Sequence, residues 1–407
     1  MITTTKYSFT DLKFFILYNL LFIDFLLMNI TNYNSKFLIF IKTIYGIFTI
    51  AIIFLTNKSK IKIKKLDFWL FVFLAYLLIT IIRSKNQNFG LLKFFLTFLN
   101  FSFLWLLIKK FNVIKVTRSF NLFLQFWLLI ISLFSIYIII YNPVKFNTIG
   151  YDFRLFSHVF SGRLLTLVNS SLLLTIVFKF NNLIKPEKYL YPILFILILI
   201  AQMNLAYRSG ILALFLVLLT LIFYIYRYEH QNFFIKEKFI RLILTIIILL
   251  GVLIIILISN GNFVVRNNWL VDLISGEQIQ DVTVIARLDA LKYSINLWGT
   301  SPILGAGFGS FNTSYFNSKI GLELKYPHNF FLEVLAETGL LGFIFIILIL
   351  IKTIQNIILI TNPKYKFSFL IFFTVFFVFA MFSKDLTFNF ILLIFIYSNE
   401  LYSNKKY

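Results

Sequence analysis

Along this chain the apolar positions come in near-continuous runs of roughly twenty residues, divided by short polar gaps. A helix needs about that length to cross the hydrocarbon of a bilayer, where the backbone must satisfy its own hydrogen bonds. The runs predict helices near residues 12–30, 37–56, 66–82, 91–108, 120–141, 163–180, 189–206, 209–227, 239–259, 330–351, 367–382 and 386–402. The expected fold is therefore all-α: a polytopic integral membrane protein of about 12 transmembrane helices with one long, partly helical extracytoplasmic loop. The gaps are too short for a second domain, so residues 1–407 are expected to form a single membrane domain. The first run is long enough to remain as a span and lacks a small-residue cleavage site, so no cleaved signal is expected.

The polar gaps orient the helices. Lys58, Lys60, Lys62, Lys64 and Lys65 follow the second run, and Lys109, Lys110, Lys115 and Arg118 the fourth. Lys179, Lys185 and Lys188 follow the sixth, Arg227, Lys236, Lys238 and Arg241 the eighth, and Lys352, Lys364 and Lys366 the tenth. Lys405 and Lys406 end the chain. All follow even-numbered runs, so they share one side, which the positive-inside rule makes the cytoplasm. Both termini are then cytoplasmic. Two longer gaps, a medium loop at 142–162 and a large loop at 260–329, fall on the opposite, outer side. Within the large loop, Ile285, Leu288, Leu291, Ile295 and Trp298 recur every three or four residues, predicting an amphipathic helix over 283–298. Pro302, Gly305, Gly307 and Gly309 then break the chain into turns. Long ordered loops on a rigid scaffold tend to carry function, so chemistry is expected on the outer face.

Composition agrees and removes several classes of function. Charged residues make up 13% of the chain, against about 25% in soluble domains. There are no cysteines, which excludes disulfides, thiol catalysis and thiolate metal sites. His158, His230 and His328 are scattered without metal-ligand spacing, so neither metal nor cofactor is expected. The net charge of +22 is accounted for by the cytoplasmic clusters, and a nucleic-acid partner is not expected.

Candidate chemistry lies at the outer boundary. Arg208 sits in AYRSGILAL at a tight turn between the seventh and eighth runs, where an arginine can simply snorkel. Arg287 lies on the loop helix, where it can be part of a solvated face. His328 stands where the large loop re-enters the membrane, in YPHNFFLEVLAETGLLG. The glycines of PILGAGFGS follow no strand, so a simple turn is favoured over a phosphate nest. Asp24 in the first run and Asp152, Arg154, His158 and Arg163 in the medium loop are weaker candidates. Together, two arginines and a histidine on one face suit a lipid-linked sugar diphosphate. Arginines hold phosphate bidentately, and a histidine can take a proton from a sugar hydroxyl near neutral pH.

Three segments, AYRSGILAL, VIARLDALKYSINLWGTSPILGAGFGSF and YPHNFFLEVLAETGLLGF, resemble in order and spacing the O-antigen ligase and polymerase superfamily. They carry an arginine signature opening a span and an arginine followed by Trp298, Pro302, Gly305 and Gly307. The third has His328 and Asn329, then nine intervening residues, then Gly339, Leu340, Leu341 and Gly342. The likeness covers roughly residues 200–345, and the first five runs share only hydropathy with the family. It implies a metal-independent, inverting glycosyltransferase of the bacterial inner membrane with an undecaprenyl-diphosphate-linked oligosaccharide as donor. Arg208 and Arg287 fall on the family's diphosphate-binding positions, His328 on its general base with Asn329 beside it, and Arg154 loosely on a further basic position. The implied acceptor is a lipid-linked repeat unit for a polymerase, slightly favoured here, or the lipid A core for a ligase. A flippase and a chain-length regulator are implied as partners within the lipid bilayer.

The rival from another class is a lipid-linked oligosaccharide flippase. Transporters often carry internal repeats and midmembrane charges. The two halves show no convincing repeat, and a flippase has little use for a seventy-residue outer loop. A purely structural membrane subunit has nothing specific in its favour.

Overall fold

The computed structural model describes residues 65–110, 185–204, 208–228, 282–311 and 326–382, together with isolated helical positions at 40–51, 130–136, 165–176, 251 and 275. The first and twelfth predicted runs, the ninth apart from position 251, the 142–162 loop, Asp24, Arg154 and the tails of the chain lie outside the described residues. Every described element is helical, and no strand occurs among them. In chain order these are α1 (Lys65–Thr80), a 3-10 turn (Ile81–Arg83), α2 (Gln87–Lys110), α3 (Lys185–Asn204) and α4 (Arg208–Tyr228). The large loop contributes α5 (Val282–Thr300), and α6 (Phe330–Ile358) and α7 (Pro363–Phe382) follow it. Each helix overlays the apolar run or amphipathic stretch predicted for it. Among the described residues, α6 is the helix long and apolar enough by itself to cross a membrane.

One side of these helices builds a common core. Leu70, Phe73, Leu74 and Leu77 of α1 meet Phe330, Val334, Ile346 and Ile349 of α6, with Phe376 and Ala380 of α7 closing the cluster. Near the other end of the hairpin, the Trp105 indole donates to the buried Asp67 carboxylate at 2.8 Å, tying α2 to α1. The opposite faces are just as apolar: Ile79, Ile82, Phe215, Phe223 and Ile358 are all at least half exposed. A water-soluble bundle would turn charged groups outward there. Helices apolar on both faces belong in lipid.

The loop helix α5 packs against α6. Its buried face is the small-residue stripe Ala286, Ala290 and Ser294 with Leu297, set against Ala336 and Phe311. Leu288 and Ile295, two of the five large residues of the predicted apolar stripe, are instead exposed, and Ile285, Leu291 and Trp298 are half-buried. The amphipathic pattern found the helix but not its buried face. The physical reason is close approach: two helix backbones come nearest where the side chains between them are small.

After α5 the chain turns back into the protein and repairs a break in α6. Gly339 has φ 68° and ψ −168°, a conformation open essentially to glycine alone. The helical ladder is interrupted there, and buried peptide groups cannot be left unpaired. The loop supplies the partners. The carbonyls of Ala336 and Glu337 accept from the amides of Ala306 and Gly307, both at 2.9 Å. The Thr338 carbonyl accepts from the Tyr76 hydroxyl at 2.7 Å. Below the break, the amides of Leu340 and Leu341 donate to the carbonyls of Pro302 and Ile303 at 2.9 and 3.2 Å. A Cβ on Gly339 would overlap the Ile303 carbonyl and the Gly305 amide, and one on Gly305 would overlap the backbone of Glu337 and Gly339. The glycine-rich stretch is thus neither a phosphate nest nor a free turn. It is the clamp that closes a broken membrane helix.

Candidate functional site

His328 and Asn329 stand immediately before α6. Asn329 caps the helix: its side-chain oxygen accepts from the Leu332 amide at 3.0 Å, and its amide nitrogen donates to the Met381 carbonyl of α7 at 3.2 Å. A capping asparagine needs extended backbone, and Asn329 has φ −137° and ψ 112°. The preceding residue makes the corner. His328 has φ 57°, the only positive φ among the described non-glycine residues. Such backbone is uncommon outside glycine, asparagine, aspartate and histidine, and strain of this kind persists where surrounding structure enforces it. The imidazole is half-buried and lies 4.5 Å, centroid to centroid, from the Tyr326 ring.

Arg287 is exposed on α5, with no ion-pair partner among the described residues. Trp298, one face-turn from the end of the same helix, donates its indole N–H to the Pro302 carbonyl at 2.9 Å and shapes the start of the clamp. The structure therefore joins the second and third motif segments into one packed unit: α5, the clamp and the first turns of α6. Arg208 is the first residue of α4, and its side chain lies outside the described part. Its helix packs along α7, whose end holds Asn329. Asp152, Arg154, His158 and Arg163 also lie outside the described residues.

Two features escaped the sequence reading. The first is a buried ionic cluster. The Lys93 ammonium of α2 sits 2.5 Å from Glu333 Oε1 and 2.7 Å from Glu337 Oε2, with all three side chains about 1% exposed. The Phe308 ring of the clamp faces the ammonium at 4.6 Å, a cation–π contact. Glu337 also accepts from the Phe311 amide, at 3.4 Å. The signal was present: a lysine inside the run GLLKFFLTFL, and glutamates four residues apart on one face of the next partner helix. The second is Arg83, in the 3-10 turn that follows α1, whose guanidinium donates to the Ser301 hydroxyl at 2.8 Å beside the clamp.

Chemically, this unit offers an imidazole, a side chain that can accept a proton from a hydroxyl. It offers guanidinium groups, which stay charged and match phosphate oxygens in pairs.

Comparison with curated proteins returns no match for this chain. Comparison with protein families does: residues 193–347 match the O-antigen ligase family. The matched stretch runs from α3 through α4, α5 and the clamp to the part of α6 just beyond the break. With the arginine, tryptophan–glycine and histidine motifs all falling inside it, that stretch, somewhat under half of the chain, supports the O-antigen ligase/polymerase superfamily of membrane-associated surface-polysaccharide assembly enzymes.

Proposed function

We propose that this protein transfers an undecaprenyl-diphosphate-linked glycan to a sugar hydroxyl on the outer face of the bacterial inner membrane. The acceptor in this reading is a second lipid-linked repeat unit, which makes it a polymerase. Twelve spans with both termini cytoplasmic would put the 142–162 and 260–329 loops on that outer face, with the catalytic region over residues 200–345. The observation that carries the proposal is the packed unit of α5, clamp and α6, which joins the arginine-bearing and histidine-bearing motif segments through the Pro302–Gly307 backbone.

In the proposed reaction His328 takes the proton of the acceptor hydroxyl as its oxygen attacks the donor's anomeric carbon. The bond from that carbon to the diphosphate oxygen breaks, its electron pair leaves with the lipid diphosphate, and the anomeric configuration inverts. Arg208 and Arg287 hold the diphosphate and stabilise its growing charge, the role a divalent cation plays in many other glycosyl transfers. Asn329 keeps the histidine corner in place through its two hydrogen bonds. Positioning of two tethered substrates and charge stabilisation then supply most of the acceleration.

The test is reconstitution. The purified protein in lipid nanodiscs, given a polyprenyl-diphosphate oligosaccharide and excess chelator, should yield lengthened glycan on lipid and free polyprenyl diphosphate. Retention of unreacted donor by wild-type protein, with a confirmed fold and either acceptor class supplied, would refute the proposal.

A further inference from the structure

The break at Gly339 divides α6 into two mechanically separate pieces. The outer piece, Phe330–Thr338, is nine residues and about 13 Å long. It carries His328 and Asn329 at its free end. Because no helical ladder crosses the break cleanly, the direction of this piece depends on what grips its sides. The grip nearest the histidine is the ionic cluster. Glu333 lies one turn beyond the Asn329 cap, Glu337 one turn further, and both reach the same ammonium on α2. The Glu337 backbone carbonyl is held by the clamp as well. Lys93 in turn faces Phe308 of the clamp, which follows directly from the helix bearing Arg287.

We propose that Lys93, Glu333 and Glu337 are positioning residues of the transfer reaction: a charge lock that fixes the outer piece of α6, and so His328, in register with the arginine-bearing helix α5. This rests on the function proposed above. The geometry favours a lock over a plain stabilising contact. A buried ion pair is weak as a source of stability, because removing the charges from water costs about as much as their attraction returns. Its distinctive property is direction: three N–H donors meet two carboxylates at one arrangement of the helices. An apolar contact there would tolerate sliding. Lys93 touches no predicted substrate group, so its effect on chemistry must pass through His328. A misplacement of about 1 Å at such a base can cost on the order of a hundredfold in rate.

The test combines kinetics with a distance measurement. Lys93→Met, Glu333→Gln and Glu337→Gln are prepared with Lys93→Arg as the conservative variant, all in nanodiscs. Per folded molecule, Lys93→Met and Glu333→Gln should lower kcat about 10- to 100-fold while KM for the lipid-linked donor changes less than about threefold. The pH midpoint of kcat/KM should stay that of the wild type, and Lys93→Arg should recover most of the rate. The chain has no cysteines, so spin labels can be placed cleanly at Leu288→Cys on α5 and Leu332→Cys on the outer piece of α6. Their distance distribution should be narrow in wild type and broad in Lys93→Met. If Lys93→Met does not fold, Glu333→Gln and Lys93→Arg decide the matter. Unchanged kcat per folded molecule, or an unbroadened distance, would overturn the lock. A shifted pH midpoint in the glutamine variants would also overturn it, by giving the carboxylates a direct part in proton transfer. Should wild-type protein transfer no glycan at all, the function reading fails while the distance arm still tests the lock.

Discussion

Replacing Gly339 by alanine is the sharpest single perturbation of the clamp. Two costs add. The backbone at φ 68°, ψ −168° is essentially closed to residues with a side chain, and holding one there costs about 1–3 kcal/mol. The new methyl would also overlap the Ile303 carbonyl and the Gly305 amide, so the loop must move away. The first bonds lost are Leu340 to Pro302 and Leu341 to Ile303, at roughly 1 kcal/mol each. The expected destabilisation is about 3–5 kcal/mol, measured by equilibrium unfolding in mixed micelles with tryptophan fluorescence. Trp298 reports locally, because its indole N–H bonds the Pro302 carbonyl. Gly299→Ala is the control: it is helical with open space around it, and should be neutral or stabilising by up to about 1 kcal/mol. A Gly339→Ala loss below about 1 kcal/mol, with Trp298 emission unchanged, would refute the clamp as the device that closes the helix break.

Other outcomes follow from the same geometry. His328→Ala should lower kcat by about 10²–10⁴ in the reconstituted transfer while leaving the unfolding midpoint close to that of wild type. Asn329→Ala should cost about 1 kcal/mol through the lost cap and free the Met381 carbonyl, with a partial fall in rate as the corner loosens. Trp298→Phe keeps the ring but loses the bond to Pro302, for an expected loss of roughly 1 kcal/mol seen in the same unfolding assay. Arg287→Lys keeps the charge but not the paired donors, and should raise KM for the lipid diphosphate donor more than it changes the fold.

Much of this architecture was legible in the chain before any coordinates. The helices α1, α2, α6 and α7 lie on apolar runs because length and hydropathy are dictated by lipid itself. The start of α6 was marked by His328 and Asn329, since a capping asparagine is a local signal. Other features were hidden because they depend on which backbones touch. Gly305 and Gly339 are far apart in sequence, and only their contact explains both. The buried face of α5 was misassigned because periodicity counts large apolar residues, whereas the packing used Ala286, Ala290 and Ser294. Lys93 passed unnoticed because the apolar residues on both sides of it swamp one charge in any hydropathy average. A rule that treats each ionisable group at membrane depth as a question would have found it, together with its partners Glu333 and Glu337.

The most direct test of the central claim is surface-glycan profiling on a gel from a deletion strain, complemented with wild type or with His328→Ala at equal expression. The account predicts collapse of the ladder to single-repeat bands, rescued by wild type and not by His328→Ala. Loss of all surface-attached repeats, with long chains stranded on carrier lipid, would move the acceptor to the lipid A core and make the protein a ligase. An undiminished ladder in the deletion strain, with no second gene of this family present, would contradict glycan transfer altogether.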